Sequence, residues 1–274
     1  MSFPIWIYWE TPKGRKMPTY ISMCLEAIKF WGQGCELKLV TPENLDNYLP
    51  DLPNKVHEIT SQDENQPSLA IKTAFVRTAL LHKYGGLYLD ADCLPLFSLS
   101  DVCSVLDKKK FSAIRRTTPK GKHISIGLLG SSPDNPIIKQ YYKQLFEALS
   151  QKTEFEWGEA GARTLTPIVQ NNPEHFFDLG EDFAHPILAE NQWVFMSKSI
   201  ELESVCTHNT RIAMLFHRPF TGPSRSIPEL GIPAQPNGWL SEWSAEQLYY
   251  GDLLISKLFR RSLPEHIFLN SFAR

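Results

Sequence analysis

Cysteine is scarce in this 274-residue chain, and the five present, at 24, 35, 93, 103 and 206, are odd in number and show no C-x-x-C spacing. A disulfide framework is a poor fit to that pattern, whereas reduced thiols in a cytosolic protein fit it well. Long apolar runs are also missing: none approaches the ~20 residues needed to span a bilayer. The N-terminus lacks the basic n-region of a secretory signal. The expectation is therefore a soluble or peripheral protein facing the cytoplasm. Charge of one sign is lacking too. A net charge of -2 gives no footprint for a polyanion, which argues against nucleic acid as a partner. There is no internal repeat, no low-complexity tract and no shift in composition sharp enough to mark a domain boundary. An apolar content of 42% and a charged content of 21% are ordinary for a globular protein with a substantial core.

Pattern is what the first half has in abundance. Phe3 to Trp9 reads as a strand of nearly continuous apolar character, as expected when both faces are buried. Pro18 suits the first turn of a helix that runs to about Trp31 and is stopped by Gly32 and Gly34. Leu37 to Val40 is a second strand, and strand–helix–strand order favours a parallel sheet with helices on its faces. Asn44 to Tyr48 reads as a short helix, followed by a polar connector to Gln66. From Ser68 to Lys83 a helix places Ile71, Phe75, Thr78 and Leu81 on one face, with Gly85 as a left-handed C-cap. Lys110 to Arg115 and Ser125 to Leu129 read as strands, and Pro136 to Ser150 as an amphipathic helix. The signal fades past Gly158. Pro219 to Gly238 looks like a long loop, and Gln247 to Ser262 like a final helix with Lys257, Arg260 and Arg261 in its last turns.

The most informative stretch is Asp90-Ala91-Asp92, directly after Tyr84-Gly85-Gly86-Leu87-Tyr88-Leu89. Two carboxylates one residue apart, at the C-terminal end of a short apolar strand, make an oxygen-rich site for Mg²⁺ or Mn²⁺. In open α/β sheets ligands bind outside the carboxyl ends of strands, where this pair falls. The pair alone is weak, since composition predicts roughly 0.4 such pairs by chance. Its context carries the weight.

The stretch IKTAFVRTALLHKYGGLYLDAD resembles the signature of bacterial capsular-polysaccharide-synthesis glycosyltransferases, a branch of glycosyltransferase family 32. That signature is an Arg-bearing helix followed by L-x-x-Y-G-G-x-[YW]-x-D-x-D. The segment IWIYWETPKGRKMPTYISMCLEAI is similar to the start of the same branch, and beyond about Leu96 the resemblance becomes patchy. The resemblance implies a GT-A-type α/β fold, a mixed and mainly parallel sheet flanked by helices, as one domain over residues 1–274. About 1–130 would be the nucleotide-sugar half and about 131–274 the acceptor half. It implies a metal-dependent hexosyltransferase that moves a sugar from a nucleotide donor, most readily a UDP-sugar, to a surface glycan or lipid-linked glycan, with retention of configuration. Asp92 would be the direct ligand of Mn²⁺ or Mg²⁺, and Asp90 would orient the ribose and the water shell of the metal. Arg77, whose planar fork suits phosphate and sugar oxygens, would contact the donor. Many relatives carry an Asp three residues before this Arg, where the present chain has Ala74, so the donor must be held differently. Trp9 would stack on the base, with Glu10 a lesser candidate beside it, and Tyr88 matches an aromatic position of the motif. His217, in AMLFHRPF, stands where relatives carry a late His near the metal.

Three readings compete with parts of this one. Basic charges in the last helix leave peripheral membrane contact open, although such charges commonly just complement a helix dipole. A haloacid-dehalogenase-type phosphatase also uses Asp-x-Asp at a strand end. Here Gly85-Gly86 interrupts the approach, Leu94 stands where Thr or Val belongs, and Gly251-Asp252 lacks the second downstream carboxylate. A non-catalytic glycan-binding module would keep the aromatic residues without needing the Asp pair.

Overall fold

The structure is a computed structural model that describes residues 3–62, 66–118 and 121–272. Its strands in chain order are β1 (Ile5–Tyr8), β2 (Leu37–Val40), β3 (Thr60–Ser61), β4 (Gln66–Pro67), β5 (Gly86–Asp90) and β6 (Cys93–Pro95). They continue with β7 (Phe111–Thr118), β8 (Gly121–Ser131), β9 (Glu154–Phe155), β10 (Phe176–Asp178) and β11 (Ile212–Met214). The chain divides into two compact units: residues 1–14, 35–90 and 103–180 form the first, and residues 15–34, 91–102 and 181–274 the second.

The first unit is built on a six-stranded sheet of order β10-β7-β8-β5-β1-β2. β1 pairs in parallel with β2 and β5, β10 pairs in parallel with β7, and β8 is antiparallel to both of its neighbours. Five strands thus point one way and β8 alone is reversed, a mixed and mostly parallel sheet as the sequence implies. All four residues of β1 are buried, as are Leu87, Tyr88 and Leu89 of β5. That explains why neither strand alternates apolar with polar residues.

The Leu69–Tyr84 helix begins where Ser68 accepts a hydrogen bond from Ile71 N–H, an N-cap that satisfies one orphan donor of the first turn. It packs on the Pro136–Gln151 helix, capped by Asn135 with Pro136 in its first turn. Phe75 meets Phe146 edge-on at 5.5 Å, and His82 stacks on Tyr142 at 4.2 Å. Phe75, Leu80, Tyr141 and Leu145 from these helices join Tyr8 and Tyr88 from the sheet in one apolar core. Each fully buried side chain of this kind stabilises the fold by about 1.5–3 kcal/mol.

Gly85 and Gly86 turn this helix straight into β5. Their φ values are +65° and +108°, and a Cβ on Gly86 would lie 2.3 Å from the Pro4 carbonyl oxygen. One on Gly85 would lie 2.7 Å from Pro133 Cδ. The glycine pair therefore exists for close backbone approach as much as for torsion. Gly85 ends the helix at positive φ, with ψ at -162° rather than in the left-handed helical well that the sequence suggests.

The second unit contains the Thr19–Trp31 helix, the antiparallel pair β6–β11 and a set of C-terminal helices. Ser262 Oγ donates to the Pro95 carbonyl at 2.6 Å, and Trp31 Nε1 donates to the Ser262 carbonyl at 2.6 Å. The single final helix expected over Gln247–Ser262 is instead two, Ala245–Tyr250 and Leu254–Ser262, and a further helix, Glu265–Phe272, follows. Gly251 leaves the helical region at ψ 169°, where a Cβ would meet Gln247 O at 2.6 Å, so the ladder breaks there. The expected loop at 219–238 carries some structure of its own, with antiparallel bridges Ser224–Gln235 and Ile227–Ile232 around a 3-10 turn at Pro228–Leu230. The polar connector before Gln66 contains a 3-10 turn, Asn54–Glu58, and part of it, residues 63–65, lies outside the described residues. All five cysteines are free thiols, and no helix among the described residues is long and apolar enough to cross a membrane.

Candidate active site

In the first unit the register of β1 and β5 sets Tyr8 beside Asp90. Trp9 and Glu10, which follow Tyr8, therefore leave the sheet at the same carboxyl edge as Asp90. Trp9 is half-buried, with its ring N–H bonded to Thr11 Oγ1 at 2.9 Å and its backbone N–H to Val40 O at 3.0 Å. Its position suits a flanking surface for a flat base.

Arg77 sits mid-helix with only 3% of its side chain exposed. A guanidinium so buried needs paired charge and satisfied donors. Its Nη2 donates to Asp90 Oδ1 at 2.8 Å, its Nη1 donates to the Ile126 carbonyl of β8, and its plane lies 4.6 Å from the Tyr88 ring centroid. That is a built environment, and it excludes a surface arginine. Ala74 is itself buried in the core. The anion for Arg77 comes from Asp90, the first carboxylate of the motif.

Asp90 keeps 30% of its side chain exposed despite this pairing. Burial pushes its carboxyl above the ordinary range, and the Arg77 guanidinium opposes that rise. Tyr88 is wholly buried, so its ring is the platform under Arg77 and offers no face to a ligand. The aromatic position of the motif supports the site from beneath.

The buried Lys72 and the half-buried Glu10 form a second ion pair in the same unit, with Lys72 Nζ donating to Glu10 Oε2 at 2.6 Å. Tyr8 O–H donates to the same oxygen at 2.5 Å. Burial and then this hydrogen bond push the Tyr8 hydroxyl well up, so it remains a donor. Lys72 is not conspicuous in the sequence. The only signal is a lysine within a mostly apolar helical stretch that has no acidic residue three or four positions away.

In the second unit, Asp92 accepts a backbone hydrogen bond from Leu215 N–H at 2.9 Å. Burial, then the charge of Asp92, push the Tyr20 hydroxyl well above its ordinary range. A phenol held protonated donates, and Tyr20 faces His217 Nδ1 at 2.5 Å. The proton of a neutral imidazole then sits on Nε2 and points to Thr221 Oγ1 at 3.1 Å, while that hydroxyl donates to the His217 carbonyl. Burial pushes the His217 pKa down, which favours this neutral form. Both ring nitrogens are thus engaged, and a metal could reach Nδ1 only by displacing Tyr20. Tyr20 is a residue the motif reading passed over, although it lies in the Pro-Tyr segment quoted for the N-terminal resemblance.

Among the described residues no group of three or more His, Cys, Asp or Glu side chains is arranged to hold a metal ion. The basic charges of the Leu254–Ser262 helix are largely engaged within the protein. Lys257 donates to the Ile200 carbonyl at 3.0 Å and to Glu201 at 2.8 Å, and Arg260 donates to the Tyr249 and Gly251 carbonyls. Membrane contact through this helix finds no support in that arrangement.

Residues 1–156 match the family described as capsular polysaccharide synthesis protein. No curated protein matches the chain. Among solved structures, the glycosyltransferase GlyE of Streptococcus pneumoniae TIGR4 is similar over 98% of this chain and 62% of its own, at 13% identity and a TM-score of 0.50. Mouse xyloside xylosyltransferase 1 matches over 78% of this chain and 97% of its own, at 10% identity and a TM-score of 0.47. The galactosyltransferase LgtC, solved with donor and acceptor sugar analogues, matches over 79% and 88%, at 11% identity and a TM-score of 0.42. What the chain shares with GlyE is the GT-A-type fold.

Proposed function

Because the chain belongs to the capsular polysaccharide synthesis protein family, we propose that it is a glycosyltransferase that moves a hexose from a nucleotide sugar to a bacterial surface glycan. The donor would be a UDP-sugar, and the acceptor a capsule- or lipopolysaccharide-type glycan or its lipid-linked precursor. One observation carries this reading: the buried Arg77–Asp90 pair at the carboxyl edge of a mostly parallel sheet, two residues before Asp92. A carboxylate fixed there by a buried guanidinium is an expensive arrangement for a mere turn residue.

The donor chemistry of Asp90 and Asp92 fits a hard divalent cation, and two carboxylates leave most of an oxygen shell to be supplied by phosphates and water. Mn²⁺ or Mg²⁺ bound there would neutralise the charge that develops on a departing nucleoside diphosphate. The residues of the chain set the geometry. Arg77 locks the rotamer of Asp90, whose exposed part is left to face the ribose and the water shell, and Asp92 is the direct ligand. Trp9 flanks the base. His217 serves the second unit through Tyr20 and joins the metal only if that hydrogen bond opens. Retention of configuration is what the family resemblance implies, with front-face displacement as the default route to it.

Calorimetry with UDP and GDP, with Mn²⁺ or with EDTA, tests this reading. Nucleotide binding is expected to be tight only with the metal. Equal affinity in EDTA would remove the metal from the site, and no binding of either nucleotide would remove the donor assignment.

A further inference from the structure

The Lys72–Glu10 pair is not accounted for by anything above. Lys72 is 7% exposed, so its ammonium has lost most of its hydration and depends on its partner. Glu10 uses one oxygen for everything: Oε2 takes the Lys72 ammonium at 2.6 Å and the Tyr8 hydroxyl at 2.5 Å. No described residue hydrogen-bonds Oε1, and the Glu10 side chain keeps 21% of its surface exposed. Two donors on one oxygen fix the plane of the carboxylate. The other oxygen then faces outward as a pre-oriented acceptor, at the same sheet edge as Trp9 and Asp90.

We infer that Glu10, held in place by Lys72 and Tyr8, is a specificity-determining residue that accepts a hydrogen bond from an N–H or O–H group of the donor's nucleoside. The inference rests on the glycosyltransferase reading. The chemistry it requires is a neutral hydrogen-bond donor, found either in the imino N–H of a uracil or guanine base or in the ribose 2′-hydroxyl. A carboxylate set against ring position 3 gains a bond from the uracil N–H and meets a lone pair in cytosine, whose remaining base donor is the N4 amino group. Lys72 is a positioning residue, since it acts only through Glu10.

Binding of UDP, CDP and 2′-deoxy-UDP in the presence of Mn²⁺ tests the assignment in the unchanged protein, Glu10→Gln, Lys72→Met and Lys72→Arg. In Glu10→Gln the amide oxygen must face the two donors, which turns its NH₂ outward and replaces the acceptor by a donor. UDP affinity is expected to fall ~10-fold or more, the scale of a lost hydrogen bond to a charged group. If the base supplies the bond, CDP binding is unchanged by Glu10→Gln. If the ribose 2′-hydroxyl supplies it, UDP and CDP fall together and 2′-deoxy-UDP does not. Lys72→Met is expected to weaken UDP with the same ligand pattern, and Lys72→Arg to restore most of the affinity. Equal changes for all three nucleotides, or none, would overturn the inference. A melting curve alone does not produce such a pattern, so a purely structural role is separable. An unchanged protein that binds none of the three would remove the functional reading and this inference with it.

Discussion

Arg77 makes three different contacts with one planar group: a carboxylate, a backbone carbonyl and an aromatic face. Lysine would keep the charge and lose the fork, so it can satisfy Asp90 or the Ile126 carbonyl but not both. Arg77→Lys is therefore expected to destabilise the fold by about 1–2 kcal/mol, the cost of leaving one buried acceptor unsatisfied. Donor use should fall as well, by ~10-fold or more, because a loosened Asp90 rotamer no longer presents its oxygens in a fixed place. Denaturant melts beside donor kinetics check both effects. Stability loss with unchanged kinetics would make the pair purely structural. In the sequence, Arg77 was legible as a functional candidate, but its partner was not. The family resemblance points to position 74, here alanine, as the place for a carboxylate, whereas the actual partner lies 13 residues on, across a turn and at the end of β5. Tyr88 shows the opposite limit, since a motif position is readable while the face it presents is not.

At the scale of elements, the helix-to-β5 junction shows how a motif can be recognised for one reason and built for another. Gly85-Gly86 marks the family signature, and the structure shows backbone pressed against backbone. Gly86→Ala would place its Cβ 2.3 Å from Pro4 O at φ +108°. It is expected to destabilise by about 3 kcal/mol or more, since neither neighbour is a flexible side chain. Gly14→Ala is the control: φ is +78° but nothing lies within 4 Å, so only the torsional term of about 1–2 kcal/mol remains. Chemical denaturation of both variants separates steric contact from torsion, and equal losses would contradict the close approach. Elements with strong local signals were readable almost to the residue, as with Leu37–Val40 and the helix from Pro136. The split at Gly251 was not, because the segments on either side each carry an apolar face. What breaks the ladder is extended backbone, with ψ 169° at Gly251 and 156° at Leu253.

Over the whole molecule, the chain changes unit five times, and one change falls between Asp90 and Ala91. Composition gives no hint of this, because interleaved segments share one average. A fragment ending at residue 180 would contain every strand of the six-stranded sheet. It would also carry the Thr19–Trp31 helix, with Tyr20, Ile21, Met23, Cys24 and Ile28 stripped of their C-terminal partners, and β6 without β11. Such a fragment is expected to bind a hydrophobic dye more strongly and to aggregate more readily than the full chain. A soluble, dye-silent fragment would show that the first unit folds unaided.

The same interleaving sets a clock on synthesis. The Thr19–Trp31 helix is made early, and two helices that pack on it, Ala245–Tyr250 and Glu265–Phe272, follow more than 210 residues later. At ribosomal rates that interval is roughly 10–40 s, far longer than a helix needs to form. Throughout that wait β6 can cover part of the apolar face of the helix, and the part that the two late helices cover stays open. A longer pause is therefore expected to raise the demand for chaperones, and slowing translation between residues 32 and 244 should lower the yield of folded protein more than slowing it before residue 19.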